Sequence, residues 1–145
     1  MRSGTLYVPQ IVGFGEATRI ALGEMEREGK RIGELRDRLW QQLSDLPGVH
    51  LNGHLTQRLP NNLNISIEGV NGNSLLSAVR KELALSSGSA CSSQKATPSH
   101  VITALGRKKS LAAATLRYGL GKNTGVEDID TAILVFSQAI AALRG

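Results

Sequence analysis

Hydrophobic residues recur at three- and four-residue steps in two long segments of the chain, which is the spacing of one face of an α-helix. The first segment covers residues 9–46 and is followed by Pro47-Gly48, a pair that ends helices. Glycines at positions 13, 15, 23, 29 and 33 weaken this segment locally, so the pattern predicts one long helix or two helices joined at a bend. Its apolar stripe consists of Ile32, Leu35, Leu39, Leu43 and Leu46.

The second segment lies at the end of the chain. Thr124 and Glu127 have the spacing of a capping box, in which a hydroxyl and a carboxylate satisfy the first backbone N–H groups of a helix. We therefore predict a helix that begins at this box and continues to the last residues. Its apolar stripe consists of Ile129, Ile133, Phe136, Ile140 and Leu143.

Shorter patterns between these segments predict strands and short helices. Residues 62–68 alternate strictly between polar and apolar, which is typical of a strand with one buried face. The asparagines at positions 61, 62 and 64 also suit a turn followed by an edge strand. Further strands are predicted at 49–52, 85–87 and 115–120, and helices at 74–83 and from Pro98, capped by Thr97, to Gly106. This order of elements predicts one domain of the α/β or α+β layer type.

Composition narrows the class of protein. A chain of 145 residues with 41% hydrophobic and 20% charged residues is ordinary for one globular domain. The net charge of +5 would suit a nucleic-acid partner, but the basic residues are scattered among acids and only five aromatic residues could stack on bases. We therefore expect no direct binding of nucleic acid.

The sequence also bears on location. No hydrophobic run approaches the ~20 residues that span a bilayer, and the first residues lead into mixed sequence rather than a signal peptide. A single cysteine excludes a disulfide framework, and the three histidines are not paired with further thiols, so we expect no metal site. These features favour a soluble protein of the reducing cytoplasm. The abrupt start leads us to expect a piece of a longer protein.

The strongest candidate for chemistry is Cys91, the only cysteine. It lies among Ser, Gly and Ala at positions 86–93, which offer no apolar neighbours to bury it and let a bulky substrate approach the sulfur. We interpret it as an accessible, reactive thiol rather than an inert core residue.

Arg117 is the second candidate. It lies between apolar neighbours, where its side chain either points to solvent or binds a carboxylate through two parallel hydrogen bonds. The local sequence leaves both interpretations open. A chemical role for His50, His54 or His100 is disfavoured, because none has an Asp or Cys neighbour at catalytic spacing.

Four motifs occur in order along the chain: Arg-Ser-Gly-Thr at 2–5, Pro-Asn-Asn-Leu-Asn-Ile-Ser at 60–66, Ser-Ser-Gly-Ser-Ala-Cys at 86–91 and Leu-Arg-Tyr-Gly-Leu-Gly at 116–121. Together they resemble the C-terminal part of a cysteine desulfurase, a pyridoxal-phosphate enzyme of the class-V aminotransferases and of fold type I. The resemblance covers essentially the whole chain. It implies an α/β (α+β) small domain, in which a long N-terminal helix precedes a short, mostly antiparallel sheet covered by helices. Residues 1–145 would form this single C-terminal domain, without the large domain that binds the cofactor.

The resemblance also implies roles for three residues. Such enzymes remove sulfur from L-cysteine and release L-alanine. Cys91 would attack the substrate sulfur and carry it as a persulfide, and Arg117 would hold the substrate carboxylate. Thr5 would bind the phosphate of pyridoxal 5'-phosphate across the interface of a homodimer. The sulfur would then pass to acceptors such as an iron–sulfur scaffold or tRNA-thiolation enzymes.

The chain also departs from that family. There, the lysine, histidine and aspartate that hold the cofactor lie upstream of Arg-Ser-Gly-Thr, in a region that this sequence does not include. Gly119 stands where a serine is common. We therefore expect the chain alone to bind the cofactor weakly or not at all and to be inactive. Two alternatives stay open: a non-catalytic sulfur-relay or interaction module, and a relative with selenocysteine lyase activity.

Overall fold

The computed structural model describes residues 4–87 and 98–145. Along these residues, helices and strands follow one another with short connections. The elements are α1 (Val8–Ser44), β1 (Val49–Leu51), β2 (Asn62–Ile67), α2 (Gly72–Val79), β3 (Ser86–Ser87), α3 (His100–Ala104), α4 (Lys109–Ala113), β4 (Thr115–Gly119) and α5 (Val126–Arg144).

The first predicted segment forms one continuous helix of 37 residues, so its glycines do not divide it. Pro9 lies in the first turn, where a helix loses nothing from its missing N–H. The predicted stripe is confirmed in the second half of α1, where Ile32, Leu35, Leu39 and Leu43 are buried. Residues 8–23 of α1 are exposed throughout, including large apolar side chains such as Phe14, which is 75% exposed.

The four strands form one sheet in the order β1-β2-β4-β3, with each neighbouring pair antiparallel. Strand β2 is therefore an interior strand, and the expectation that its asparagines lead into an edge strand is wrong. The predicted alternation is present, because Leu63 and Ile65 are fully buried while Asn62 and Asn64 are half-buried. Alternation reports which face of a strand is buried, whereas an edge strand is one whose backbone is unpaired along one side, so alternation alone does not identify an edge.

One face of the sheet carries the hydrophobic core, which the second half of α1, α2 and α5 cover. The sheet contributes Leu63, Ile65, Ile67, Leu116 and Tyr118 to this core. The helices contribute Leu39, Leu43, Leu75, Val79 and Phe136, among others. A small antiparallel sheet covered by helices and preceded by a long helix is thus present, and the predicted fold class is confirmed.

Helix starts differ from the prediction where other residues cap them. The N–H of Gly125 donates to Asp128 Oδ2 at 2.8 Å, while Thr124 Oγ1 accepts from the N–H of Gly121 at 2.9 Å. The capping box of Thr124 and Glu127 is therefore wrong, and α5 begins at Val126 with Asp128 in the capping role.

The other short helices also shift. Asn71 caps α2, because its Oδ1 accepts hydrogen bonds from the backbone N–H groups of Asn73 and Ser74. This helix therefore begins before the predicted position, and it ends at Val79. Pro98 precedes α3, which begins at His100, so Pro98 is not its first residue; Thr97 lies outside the described residues. Helix α3 ends before Gly106, whose φ of +83° is a left-handed conformation that glycine adopts without strain. The pattern does not predict α4, since a helix of five residues shows no apolar period.

Candidate functional site

The face of the sheet opposite the core is polar. Successive side chains of a strand point to opposite faces, and directly paired residues share a face. The register therefore places on this second face Asn62, Asn64, Ser66, Ser86, Thr115 and Arg117. Helix α4 contacts β2. The arginine predicted as a candidate thus lies among polar neighbours.

Arg117 is exposed and stands between two polar neighbours. It pairs with Asn64 of β2 on one side and with Ser86 of β3 on the other. Within residues 4–87 and 98–145, its guanidinium makes no hydrogen bond or ion pair, unlike those of Arg36, Arg38 and Arg107. An exposed guanidinium with all its donors available is able to bind a carboxylate. This geometry also suits a side chain that simply faces water, so its role stays a prediction.

A buried hydrogen-bonded network lies beside Arg117 on the same face. Arg107 Nε donates to Asn52 Oδ1 at 2.9 Å, and Asn52 Nδ2 donates to Asn64 Oδ1 at 2.8 Å and to Ser66 Oγ at 2.7 Å. The Ser66 and Thr115 hydroxyl oxygens are 2.7 Å apart. The network joins the residue after β1, the strands β2 and β4, and the connection between α3 and α4.

Sequence reasoning missed this network. The alternation of β2 puts Asn64 and Ser66 on one face, which is a signal that could have been used. Asn52 and Arg107 carry no local signal, because Arg107 reaches Asn52 across 55 positions of the chain.

Cys91 lies outside the described residues, which stop at Ser87 on one side and resume at Pro98 on the other. The strand that precedes it is described: Ser86 of β3 pairs directly with Arg117. The chain therefore enters the segment that contains Cys91 from a position next to the arginine.

Thr5 lies away from this face. It is exposed just before α1, and among the described residues its side chain makes no hydrogen bond. Counted from Val8, α1 reaches the rest of the described domain at Glu24, which forms an ion pair with Lys122. The start of α1 is therefore 16 helical residues, or about 24 Å at 1.5 Å per residue, from the domain. Within one chain, the structure does not bring Thr5 and Arg117 together.

The remaining polar features have local roles. His54 Nδ1 accepts from the N–H of Gln57 at 2.9 Å, and His50 Nε2 lies 2.9 Å from Glu68 Oε1, while His100 is exposed. The part of the chain that is described holds no group of His, Cys, Asp and Glu side chains suited to a metal ion, and no helix in it is long and apolar enough to cross a membrane.

Two cavities lie away from the arginine. One of about 380 Å³ opens between α1 and residues 51–58 and includes Trp40, and one of about 280 Å³ lies between α5 and residues 82–85 and includes Tyr118. Arg117 lines neither. The Tyr118 hydroxyl is buried and has no hydrogen-bond partner among the described residues, and this burial raises the pKa of Tyr118 well above its ordinary value.

Residues 1–132 match the family described as aminotransferase class-V, which is most of the chain. This chain belongs to the class-V aminotransferase family. The resemblance of its four motifs is thus confirmed at the level of the family.

Named relatives of this class-V aminotransferase chain are cysteine desulfurases. It is 52% identical to the cysteine desulfurase IscS of Methylococcus capsulatus over 144 residues, which cover 99% of this chain and 36% of that protein. It is 51% identical to the cysteine desulfurase IscS of Aeromonas hydrophila, over 99% of this chain and 35% of that protein. The class-V chain therefore spans about a third of the length of these relatives.

A solved structure resembles the class-V chain closely in fold. The X-ray structure of a NifS-like protein from Rickettsia africae superposes with a TM-score of 0.82 at 28% identity, covering 97% of this chain and 36% of that one. The agreement extends over the described helices and sheet, although again over about a third of the longer protein.

Proposed function

We propose that this chain is the C-terminal domain of a cysteine desulfurase and carries the cysteine that accepts sulfur and the arginine that holds the substrate. Identity of about 50% over the whole chain to proteins named cysteine desulfurase supports the activity. The observation that carries the assignment of roles is the pairing of Ser86 with Arg117. It puts an exposed guanidinium beside the strand from which the chain continues to Cys91.

The reach of the chain supports a shared site for the two residues. Four residues after Ser87, the Cys91 Cα is tethered within about 14 Å of that strand end, since each residue spans at most about 3.5 Å. Arg117 would bind the carboxylate of L-cysteine through two N–H donors, which fixes one end of the substrate. The sulfur at its other end would then lie toward the Cys91 segment.

The sulfur transfer balances without an added oxidant. The Cys91 sulfur forms an S–S bond with the substrate sulfur as the C–S bond of L-cysteine breaks. The bonding electron pair stays with carbon, which takes up a proton and becomes the methyl group of L-alanine. Cys91 is left as a persulfide, whose outer sulfur is available to an acceptor such as an iron–sulfur scaffold or a tRNA-thiolation enzyme.

Thr5 fits one part of pyridoxal 5'-phosphate. Its exposed hydroxyl, without a hydrogen-bond partner in the described residues, is able to donate to a phosphate oxygen. Because about 24 Å of helix separate it from the rest of the domain, it would serve the site of a second copy in a homodimer rather than that of its own Arg117. When bound, the cofactor supplies an electron sink. The lysine that holds it would belong to the two-thirds of the relatives' length that this chain does not span.

The activity is tested in a chimera, in which this chain replaces the matching third of the Methylococcus capsulatus relative. Alanine and sulfide are measured with L-cysteine and pyridoxal 5'-phosphate. Cys91→Ser should reduce sulfur release more than about a hundredfold, since the nucleophile is lost. Arg117→Gln should raise KM for L-cysteine at least about tenfold, and Arg80→Gln, an exposed arginine at the end of α2, is the matched control.

Two outcomes would overturn the proposal. Full activity of the Cys91→Ser chimera would exclude the persulfide role. Sulfur uptake by the chain alone from a persulfide donor, together with an inactive chimera, would favour the relay module instead. A preference for L-selenocysteine over L-cysteine in the same assay would identify the selenocysteine lyase alternative.

A further inference from the structure

We propose that Asn64 is a second residue that binds the substrate carboxylate, next to Arg117, and that Arg107 positions it through Asn52. The proposal rests on the proposed function, because it concerns the carboxylate of the same substrate. It follows from the direction of the hydrogen bonds in the network of Arg107, Asn52, Asn64, Ser66 and Thr115.

The chemistry of the donors determines this direction. A guanidinium donates only, so Asn52 must turn its carbonyl oxygen toward Arg107 Nε, and its amide nitrogen then faces Asn64 and Ser66. Asn64 in turn must offer its carbonyl oxygen to Asn52 Nδ2. The Asn64 amide nitrogen is therefore directed away from the network.

The hydrogen bonds from Asn52 through Ser66 to Thr115 fix the same orientation of the Asn52 amide. Thr115 Oγ1 donates to the carbonyl of Leu111 at 3.2 Å, so the Ser66 hydroxyl donates to Thr115 and accepts from Asn52. Asn52, Ser66 and Thr115 are all buried, at 4%, 0% and 1% exposure. Rotating the Asn52 amide would leave buried donors facing one another, which is costly.

Two hydrogen bonds hold Arg107 in place, so it can fix the direction of the whole series of hydrogen bonds. In addition to Asn52 Oδ1, it donates through Nη2 to the carbonyl of Leu51 at 2.6 Å. Leu51 is the last residue of β1, and Asn52 is the residue that follows it. The guanidinium thus fixes the orientation of the Asn52 amide, and that amide forms hydrogen bonds with two residues of β2, Asn64 and Ser66.

The outcome is a pair of donors on one face. Asn64 and Arg117 are directly paired across β2 and β4, so their Cβ atoms lie about 5 Å apart on the same side of the sheet. In the described part of the chain the Asn64 Nδ2 group has no acceptor, nor does the Arg117 guanidinium. Two adjacent groups that only donate are suited to the two oxygens of one carboxylate.

The decisive variant is Asn64→Asp. It keeps the size of the side chain and an oxygen that accepts from Asn52, but it replaces the N–H donors by a carboxylate oxygen beside Arg117. Because the new carboxylate can itself pair with Arg117, a rise in KM supports a role of Asn64 only together with the acetate titration described below. We expect KM for L-cysteine in the chimera to rise at least about tenfold, with kcat within about twofold. Asn61→Asp is the matched control, since Asn61 is exposed in the turn before β2 and the substitution adds the same charge there.

The role of Arg107 is tested by the same split between KM and kcat. Arg107→Met removes both donors and keeps an apolar stem, so KM should rise, and Arg107→Lys, which keeps one donor, should restore part of the affinity. Arg80→Met is the control for loss of an exposed arginine. A loss of stability in Arg107→Met without any change in KM would overturn the positioning role.

A second measurement does not depend on activity. The ¹⁵N-labelled chain is titrated with sodium acetate and, at equal ionic strength, with sodium chloride. We expect acetate, but not chloride, to shift the Asn64 side-chain amide and the Arg117 Nε–H signals with one common midpoint, and we expect no shift of the Asn64 amide in Arg117→Gln. An Asn64 amide that stays unmoved while the Arg117 signal shifts would overturn the proposal.

These results separate the two levels of inference. If Arg117→Gln raises KM and Asn64→Asp behaves like Asn61→Asp, only the role of Asn64 fails. If Arg117→Gln itself leaves KM unchanged in an active chimera, the assignment of the carboxylate site fails, and with it both roles.

Discussion

Tyr118 carries a hydroxyl into the core, where no described residue forms a hydrogen bond with it. Its side chain is 3% exposed, and its ring packs edge-on against Phe136 with the centroids 5.8 Å apart and the planes at 72°. This aromatic pair stabilises the fold, but the buried hydroxyl has lost water without gaining a hydrogen bond.

Tyr118→Phe should therefore raise the free energy of unfolding by about 1 kcal/mol, because an unsatisfied buried hydroxyl costs about 1–3 kcal/mol while the ring contact is kept. Urea denaturation at neutral pH measures this. A loss of more than about 1 kcal/mol would mean that the hydroxyl has a partner after all.

The same residue makes stability depend on alkaline pH. Burial raises the pKa of Tyr118, so above about pH 10 the unfolded chain releases this proton while the native chain keeps it. Fewer protons are then bound in the unfolded state, and stability falls as pH rises. Unfolding free energies measured from pH 9 to 11 should fall more steeply for the wild type than for Tyr118→Phe, and parallel slopes would contradict this origin.

Gly119 faces a second unsatisfied group. It pairs with Asn62, whose Oδ1 is buried and accepts no hydrogen bond from residues 4–87 or 98–145, and a Cβ at Gly119 would meet nothing within 4 Å. Gly119→Ala should stabilise the chain by about 0.5 kcal/mol through the unfolded state, and Gly119→Ser should add about 1 kcal/mol by donating to Asn62. Thermal unfolding of the two variants compares them directly. Equal stability of the two would mean that the serine does not reach Asn62.

At the scale of elements, close packing between α2 and α4 makes a glycine in a helix stabilising, although replacing such a glycine by alanine usually stabilises a helix. A Cβ added to Gly72, the first residue of α2, would come within 2.2 Å of the Ala113 carbonyl oxygen at the end of α4. Gly72→Ala should therefore destabilise the chain by about 2 kcal/mol or more, although alanine favours helices. Urea denaturation beside Gly119→Ala tests the contrast, and a stabilised Gly72→Ala variant would show that α4 shifts freely.

The elements differ in how far the sequence predicts them. The long helices and β2 are predicted well, because a buried stripe or face requires a period that persists over many residues. Short elements are predicted poorly. The start of α5 depends on Asp128 rather than Glu127, and α4 depends on its place between β4 and Arg107 rather than on any period.

At the scale of the whole molecule, α1 has two different halves. Its second half packs on the sheet and on α5, whereas residues 8–22 make no tertiary contact that buries a side chain. The first half nevertheless exposes large apolar residues: Val8, Ile11, Val12, Phe14, Ile20 and Leu22. Such a surface favours association with another protein surface, which agrees with relatives three times as long.

Amide hydrogen exchange should separate the two halves in the isolated chain at low concentration. Amides of residues 8–22 should exchange at least about a hundredfold faster than those of residues 32–43, because helix stability comes mainly from a packed face. At higher concentration, self-association through the exposed residues should slow the first set. Equal protection at low concentration would contradict this division of α1.

The spacing of apolar residues was enough to predict the class of fold, the two long helices and the interior of β2, because burial of one face imposes a period on neighbouring residues. The four motifs were enough to predict the family. The polar face could not be read in this way. Arg107 contacts Asn52 across 55 positions, Ser66 contacts Thr115 across 49, and Asn64 meets Arg117 only through the strand order, so these neighbours exist only once the chain has folded.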